Sequence, residues 1–325
     1  MTRAIRIHEH GGPEVLRLEA VESSPLGRGQ VRIRQTAIGV NFIDTYERSG
    51  LYPLSLPSGL GREAAGVVTE AGVGVTKLKP GDRVAYASST PGAYCDERVM
   101  DATRVVMLPD AVSDREAAAI MLKGLTAWFL LRRCHRVRRN EPVLLHAAAG
   151  GVGLIALQWA TALGARVIAV VGSDEKAALV AAHGAAEVIV SSREDVVGRV
   201  RAITRKRGVP VVYDGVGKDT FVASLDCLAP LGLMVSYGNA SGALPPFSPF
   251  ELTKRGSLFF TRPVLFHYTA KAPELARGAR ELFDVVGSGR VKVRIGQTLP
   301  LEKAAAAHRD LEARRTTGST VLIPS

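Results

Sequence analysis

Hydrophobic positions along the chain change their period near residue 140. Up to about residue 120, short apolar runs (AIRI, VLRLEAVE, VRIRQTAIGV, AAGVVTEAG, DRVAYAS and RVVMLP) are separated by Gly, Pro, Asn and Asp, the punctuation of strands and tight turns. Val31, Ile33 and Gln35 alternate with Arg32, Arg34 and Thr36, as in a strand with one solvated face. Ser113-Asp114-Arg115-Glu116 forms a capping box ahead of an Ala-rich run and predicts a helix start. After about Pro142 the pattern becomes strand, turn and helix in repetition, a doubly wound α/β arrangement with a parallel sheet. Its predicted strands are 143–147, 166–172, 187–190, 210–216 and 233–239, with helices over Val152–Leu163, Glu175–His183, Asp195–Lys206 and Thr220–Leu228. Beyond about residue 265 the pattern predicts a helix over Pro273–Ser288, a strand near Val291–Ile295, a helix over Leu301–Arg314 and the closing strand STVLIP. That tail is too short for a core of its own and is expected to complete the first, β-rich domain.

Composition bounds the picture further. The 325 residues suffice for two domains at ~100–200 residues each. With 46% hydrophobic and 22% charged residues the chain is globular, neither disordered nor fibrous. Cys95, Cys134 and Cys227 are odd in number and show no CxxC spacing, so a disulfide framework is not expected and a reducing cytoplasm fits. The opening MTRAIRIHEHGG lacks the apolar core of a signal peptide. The most apolar stretch, Val143–Ala165, contains His146, Gln158 and Thr161 and is broken by Gly150, Gly151 and Gly153, a poor membrane span. Forty-two Lys and Arg against 31 Asp and Glu give a net charge of +11, which draws anionic partners, whether nucleic acid or a phosphorylated cofactor.

The sharpest local signal is PVLLHAAAGGVGLIALQWATALGARVIAVVGSDEK. An apolar strand enters Gly150-Gly151-Val152-Gly153, a helix follows, and a second strand ends at Val171-Gly172-Ser173. Glycines let backbone approach a pyrophosphate, and the helix N-terminus stabilises its charge. The strand–turn–helix context is what the dinucleotide fingerprint requires. An acidic residue at the end of the second strand would select NAD through its ribose 2′-hydroxyl. Here Gly172-Ser173 stands instead, with Lys176 one turn on. Ser173 can hydrogen-bond a 2′-phosphate and Lys176 can neutralise it, which favours NADPH.

With these residues stand GVNFIDTYERSGLYP (39–53), SGLGREAAGVV (58–68), GDRVAY (81–86), LKGLTA (122–127), HAAAGGVGLIALQWA (146–160), VVYDGVGKDTF (211–221) and GLMVSYGNASG (232–242). In this order and spacing the chain resembles the NADPH-dependent, zeta-crystallin-like quinone oxidoreductases of the medium-chain dehydrogenase/reductase superfamily over essentially its whole length. The resemblance implies a GroES-like β domain built from both termini (1–124 and 266–325), a Rossmann NADPH-binding domain (125–265), a cleft between them, and a homodimer. On the cofactor side it implies roles for Phe42, Lys123, Thr126, Gly150, Gly151, Val152, Gly153, Ser173, Lys176, Tyr237, Gly238, Asn239, Arg262 and Arg314. Relatives often carry a tyrosine near Ser191; here Ser191-Ser192-Arg193 follows, and Arg193 is the substitute.

Zinc members of that superfamily have a cysteine and a Gly-His-Glu at the catalytic metal. Asn41 and Arg62, in Gly61-Arg62-Glu63, hold those places here, and neither is a usual zinc ligand. No metal is expected, which turns the reading from alcohols to an electrophile that needs little activation, a quinone. Asn41, Tyr46 and Tyr52 are the candidates for holding it, tyrosine offering a flat face and an O–H donor. The enzymatic alternative is reduction of α,β-unsaturated carbonyls, which adds the need for a proton donor. The alternative of another class is nucleic-acid binding through the basic runs 132–139 and 199–207, which lack interleaved aromatics and read as solvated helix faces.

Overall fold

The computed structural model describes residues 1–324. The chain divides into two compact units, one of Met1–Leu125, Thr269–Gly287 and Val293–Ser325, the other of Thr126–Tyr268 and Ser288–Lys292. The opening half of the first unit holds β1 (Thr2–Ile7), β2 (Arg17–Val21), β3 (Gln30–Val40), α1 (Phe42–Arg48), β4 (Ser58–Gly59), β5 (Glu63–Ala71), β6 (Arg83–Ala87), β7 (Glu97–Asp101), β8 (Val106–Met107) and α2 (Asp114–Phe129). The second unit continues with β9 (Pro142–Leu145), α3 (Gly151–Ala162), β10 (Arg166–Val171), α4 (Asp174–Ala182), β11 (Glu187–Val190), α5 (Val196–Ile203), β12 (Val209–Asp214), α6 (Phe221–Asp226), β13 (Leu228–Ser236), α7 (Phe250–Lys254), β14 (Phe259–Thr261) and α8 (Leu265–Tyr268). The chain closes with α9 (Ala272–Gly287), β15 (Ile295–Pro300), α10 (Ala304–Glu312) and β16 (Ser319–Ile323).

In the first unit β16 pairs antiparallel with β3, next to β5, β6 and β8, so the last strand of the chain completes the sheet begun by the first third. Ile33, Ile38, Val68, Val84, Tyr86 and Leu322 fill its core. Gln35, on the apolar side of the alternation, is buried because its amide donates to the Ala93 carbonyl at 2.8 Å and accepts from the Tyr86 hydroxyl. A buried amide is tolerated when its polar atoms are paired.

In the second unit the six strands are all parallel, in the order β11-β10-β9-β12-β13-β14. Strand order reverses between β9 and β12, the switch point at whose carboxyl ends ligands bind in such sheets. Continuous apolar runs form these strands because helices cover both faces. Leu144, Ile168, Ile189, Val212 and Met234 are buried in the resulting core.

Several elements differ from the sequence reading. The segment after Asn41 is helical, because Asp44 Oδ2 accepts from the Asn41 backbone N–H at 2.8 Å and caps α1. The predicted helix Thr220–Leu228 stops at Asp226, since Leu228 already pairs with Val209 ahead of a register shift in β13. The predicted strand near Val291–Ile295 begins only at Ile295, where it meets Ser319. Gln158 instead clasps the backbone of Lys292 (2.9 and 3.2 Å), and this ties Ser288–Lys292 to the second unit although the sequence reading assigns them to the first. Tyr268 likewise belongs to the second unit, its ring stacked on Phe129 with centroids 4.7 Å apart.

Candidate active site

In the second unit the turn after β9 is drawn tight by glycine. Gly150 precedes α3 with no side-chain cap, so the first-turn N–H groups of the helix are left to other acceptors. A Cβ at Gly153 would stand 2.8 Å from the Ala148 Cα and would collide with the Ala147 carbonyl, so only glycine lets α3 pack this close to the strand end. Gly172, by contrast, has open space where a Cβ would be. We expect Gly153→Ala to cost about 1–3 kcal/mol and Gly172→Ala less than about 0.5 kcal/mol, a contrast read in thermal denaturation.

Ser173 caps α4, its hydroxyl accepting from the Lys176 N–H at 3.4 Å. Arg193 pairs with Asp174 at 2.7 Å, both side chains largely exposed. Tyr237 N donates to the Asp214 carbonyl at 2.8 Å, and Gly215 and Gly238 approach so closely that a Cβ on Gly238 would strike the Gly215 backbone. Arg262 donates to the Ser236 carbonyl at 2.8 Å, beside this turn, and Asn239 is buried. Thr126 is also buried in this unit, near the end of α2.

Sequence reasoning passed over the group beneath these turns. The fully buried Asp214 carboxylate accepts from Val216 N (2.8 Å), Gly217 N (3.1 Å), Thr220 Oγ1 (2.7 Å) and Ser224 Oγ (2.7 Å). Ser224 Oγ also lies 3.1 Å from His146 Nε2, and burial pushes the His146 pKa down. A carboxylate ending an apolar strand, PVVYDG, is the signal that identifies it.

In the first unit Asn41, Phe42, Tyr46 and Tyr52 gather at α1. The Phe42 and Tyr46 ring centroids are 6.1 Å apart, and Tyr46 meets Tyr52 edge-on at 5.1 Å. Behind them lies a charged cluster. Glu63, fully buried at the start of β5, accepts from Asn41 Nδ2 at 2.8 Å and Lys123 Nζ at 2.7 Å on one oxygen, and from Leu122 N at 2.5 Å on the other. Arg62 turns elsewhere, to the Glu47 carboxylate and the Ser88 and Ser89 carbonyls. A second chain of bonds joins Asp44, Tyr94, His308 and Arg48: Tyr94 OH to Asp44 Oδ2 at 2.8 Å, Tyr94 OH to His308 Nε2 at 3.1 Å, and Arg48 Nη1 to His308 Nδ1 at 3.1 Å. Burial and the nearby Glu47 raise the Asp44 pKa to about 7, while burial and the Arg48 charge lower that of His308 to about 3. Arg314 stands exposed in the turn after α10.

The basic runs serve the fold in part. Arg201 donates to the Asp226 carbonyl at 2.6 Å, Arg199 pairs with Glu194 at 3.1 Å, and Arg133 lies 5.6 Å from the Trp128 ring centroid.

A six-stranded parallel nucleotide-type sheet joined to a β unit closed by the chain's last strand defines a two-unit dehydrogenase/reductase. Two family models match accordingly, "Alcohol dehydrogenase GroES-like domain" over residues 27–112 and "Zinc-binding dehydrogenase" over 151–276. The chain is 50% identical over 325 residues to a quinone oxidoreductase of Pseudomonas aeruginosa, covering all of both chains. It is 45% identical over 331 residues to a 2-haloacrylate reductase of Burkholderia, covering 100% of this chain and 99% of that protein. The crystal structure of Escherichia coli quinone oxidoreductase complexed with NADPH superposes with a TM-score of 0.97 at 49% identity, covering 99% of this chain and 100% of that one. The chain belongs to the quinone oxidoreductases of the medium-chain dehydrogenase/reductase superfamily.

The zinc in one family model's name finds no suitable donor set here. An ammonium and a guanidinium have no lone pair to offer. Lys123 already occupies Glu63, Arg62 occupies Glu47, and the Asn41 amide nitrogen is a donor. Among the described residues, no group of three or more His, Cys, Asp or Glu is placed to hold a metal ion.

Proposed function

We propose that this protein reduces quinones with NADPH and without a metal. The observation that carries the reading is the cluster Asn41–Glu63–Lys123, two hydrogen-bond donors held on one buried carboxylate where a metal site would need lone-pair ligands, at the helix that also carries Phe42 and Tyr46. Bound NADPH supplies the hydride. The glycine turn Gly150, Gly151, Val152 and Gly153 and the uncapped start of α3 suit its pyrophosphate, and Ser173, Lys176 and Arg193 suit its 2′-phosphate. Tyr237, Gly238, Asn239 and Arg262 form the wall after β13, with Thr126, Lys123 and Arg314 as further polar contacts and Phe42 packing near the nicotinamide. Asn41, Tyr46 and Tyr52 orient the acceptor and exclude water. The test is oxidation of NADPH with 1,4-benzoquinone and naphthoquinones on chelator-treated protein. Turnover unchanged by chelation is expected, and turnover that chelation abolishes contradicts the metal-free reading.

A second reading, reduction of α,β-unsaturated carbonyls, draws support from the similarity to 2-haloacrylate reductase. It uses the same hydride and asks Tyr46 or Tyr52 for a proton as well.

A homodimer is supported by the edge strand β14, where Phe259 is 61% exposed, with Phe250 59% exposed on α7. An exposed edge with large apolar side chains favours pairing with another copy. Light scattering is expected to give twice the 34.6 kDa chain mass, and Phe259→Arg to give the monomer. No described helix is long and apolar enough to cross a membrane, and the thiols are free, two of them buried. A reducing cytoplasm suits such a protein.

A further inference from the structure

We propose that Glu63 is a positioning residue that holds Lys123 and Asn41 as a fixed pair of donors for the acceptor oxygen on which negative charge develops. The proposal deepens the reading above and rests on it for the identity of the acceptor. One carboxylate oxygen accepts from Lys123 Nζ at 2.7 Å and from Asn41 Nδ2 at 2.8 Å, so the two nitrogens flank a single atom. The other oxygen is fixed at 2.5 Å by the backbone N–H of Leu122, inside α2. Three donors on two oxygens leave the carboxylate little freedom. An ammonium carries three N–H bonds and an amide nitrogen two, and Glu63 takes one from each.

The fold makes room for this carboxylate. Gly39 on β3 stands in register with Glu63 on β5, and a Cβ at Gly39 would collide with both the Glu63 carboxylate and the Ala118 carbonyl of α2. The acid therefore lies across a strand position that must have no side chain, reaching from sheet to helix. Lys123, 7% exposed, has this carboxylate as its counter-ion. A buried charge left without its partner is strongly destabilising, so Glu63 stabilises the buried donor as well as aiming it. Donors fixed in advance toward developing charge need no reorganisation during the reaction, which is where such groups act most strongly.

The test compares Glu63→Gln, Lys123→Met and the double variant by kcat with a naphthoquinone, by NADPH affinity from fluorescence titration, and by Tm. In each single variant kcat is expected to fall on the order of 10- to 100-fold, and in Glu63→Gln NADPH affinity is expected to stay within about threefold of the parent. The double variant removes the unpaired buried charge, so its Tm should recover above that of Glu63→Gln while its kcat does not. Recovery of kcat together with Tm would reduce Glu63 to a structural counter-ion and overturn the proposal. So would a Lys123→Met protein with parental kcat, a result that remains decisive if Glu63→Gln does not fold. Failure of the parent protein itself to reduce quinones would instead overturn the underlying reading.

Discussion

Lys176→Glu should raise the KM for NADPH by about 10- to 100-fold, with kcat at saturation little changed and the KM for NADH unchanged or lower. Replacing a charge-assisted hydrogen bond, about 1.5–3 kcal/mol, by a like-charge contact gives this magnitude. The effect falls on KM because the 2′-phosphate is bound equally in ground and transition states. The local structure is compatible with Asp174 beside the proposed 2′-phosphate contacts. Its carboxylate is paired with Arg193 at 2.7 Å, so the acidic residue between Ser173 and Lys176 presents little net charge. Arg193→Glu should therefore weaken NADPH in the same direction by leaving Asp174 unpaired. Steady-state kinetics with both nicotinamide cofactors and one naphthoquinone provides the check. An unchanged NADPH KM in Lys176→Glu would remove Lys176 from the cofactor site.

The second large effect concerns stability against pH. Asp44 is buried, with Oδ1 lacking a hydrogen-bond partner, and its pKa stands near 7 in the folded protein. Unfolded, it titrates near 3.9. Folding thus takes up a proton between about pH 4 and 7, and the stability this group contributes falls as pH rises through that window. His308 runs the other way. Its pKa stands near 3 in the fold, where Arg48 and Tyr94 face it, against ~6.5 unfolded. Its contribution is present above about pH 6.5 and is lost as pH falls toward 3.

The two slopes oppose each other between about pH 4 and 6.5, so the linked cluster is nearly pH-neutral as a whole. Removing one partner exposes the other. Asp44→Asn should lose about 3 kcal/mol of stability between pH 7 and 4 relative to the parent, and His308→Gln should gain about as much over the same descent. Chemical denaturation at several pH values checks this. Parallel curves for both variants and the parent would show that neither group titrates as its surroundings dictate.

How much of this was legible in the sequence depended on whether burial could be read from apolar pattern. The strands of the second unit are continuous apolar runs bounded by glycine, and β9, β10, β11 and β12 lie within one or two residues of their predicted places. Helix α1 escaped because NFIDTYERSG looks like an exposed polar turn. Asp44, Glu47 and Arg48 are in fact buried, and each is held by a partner distant in sequence: Tyr94, Arg62 and Glu312. Periodicity cannot reveal a charge that is buried because it is paired across the fold. The same holds for Glu63, whose acidic side chain opening EAAGVV was the available signal, and for Asp214. The residues expected at the glycine turn sit on consecutive backbone and need only local geometry. The Asn41–Glu63–Lys123 cluster needs β3, β5 and α2 brought together, and no spacing rule contains that.

Comparing kcat/KM for a naphthoquinone with that for 2-haloacrylate and an alkenal, using NADPH and the same chelator-treated preparation, separates quinone reduction from reduction of conjugated double bonds. The quinone is expected to exceed both by more than about tenfold. A higher kcat/KM for 2-haloacrylate or the alkenal would contradict this and make this protein a reductase of conjugated carbon–carbon double bonds.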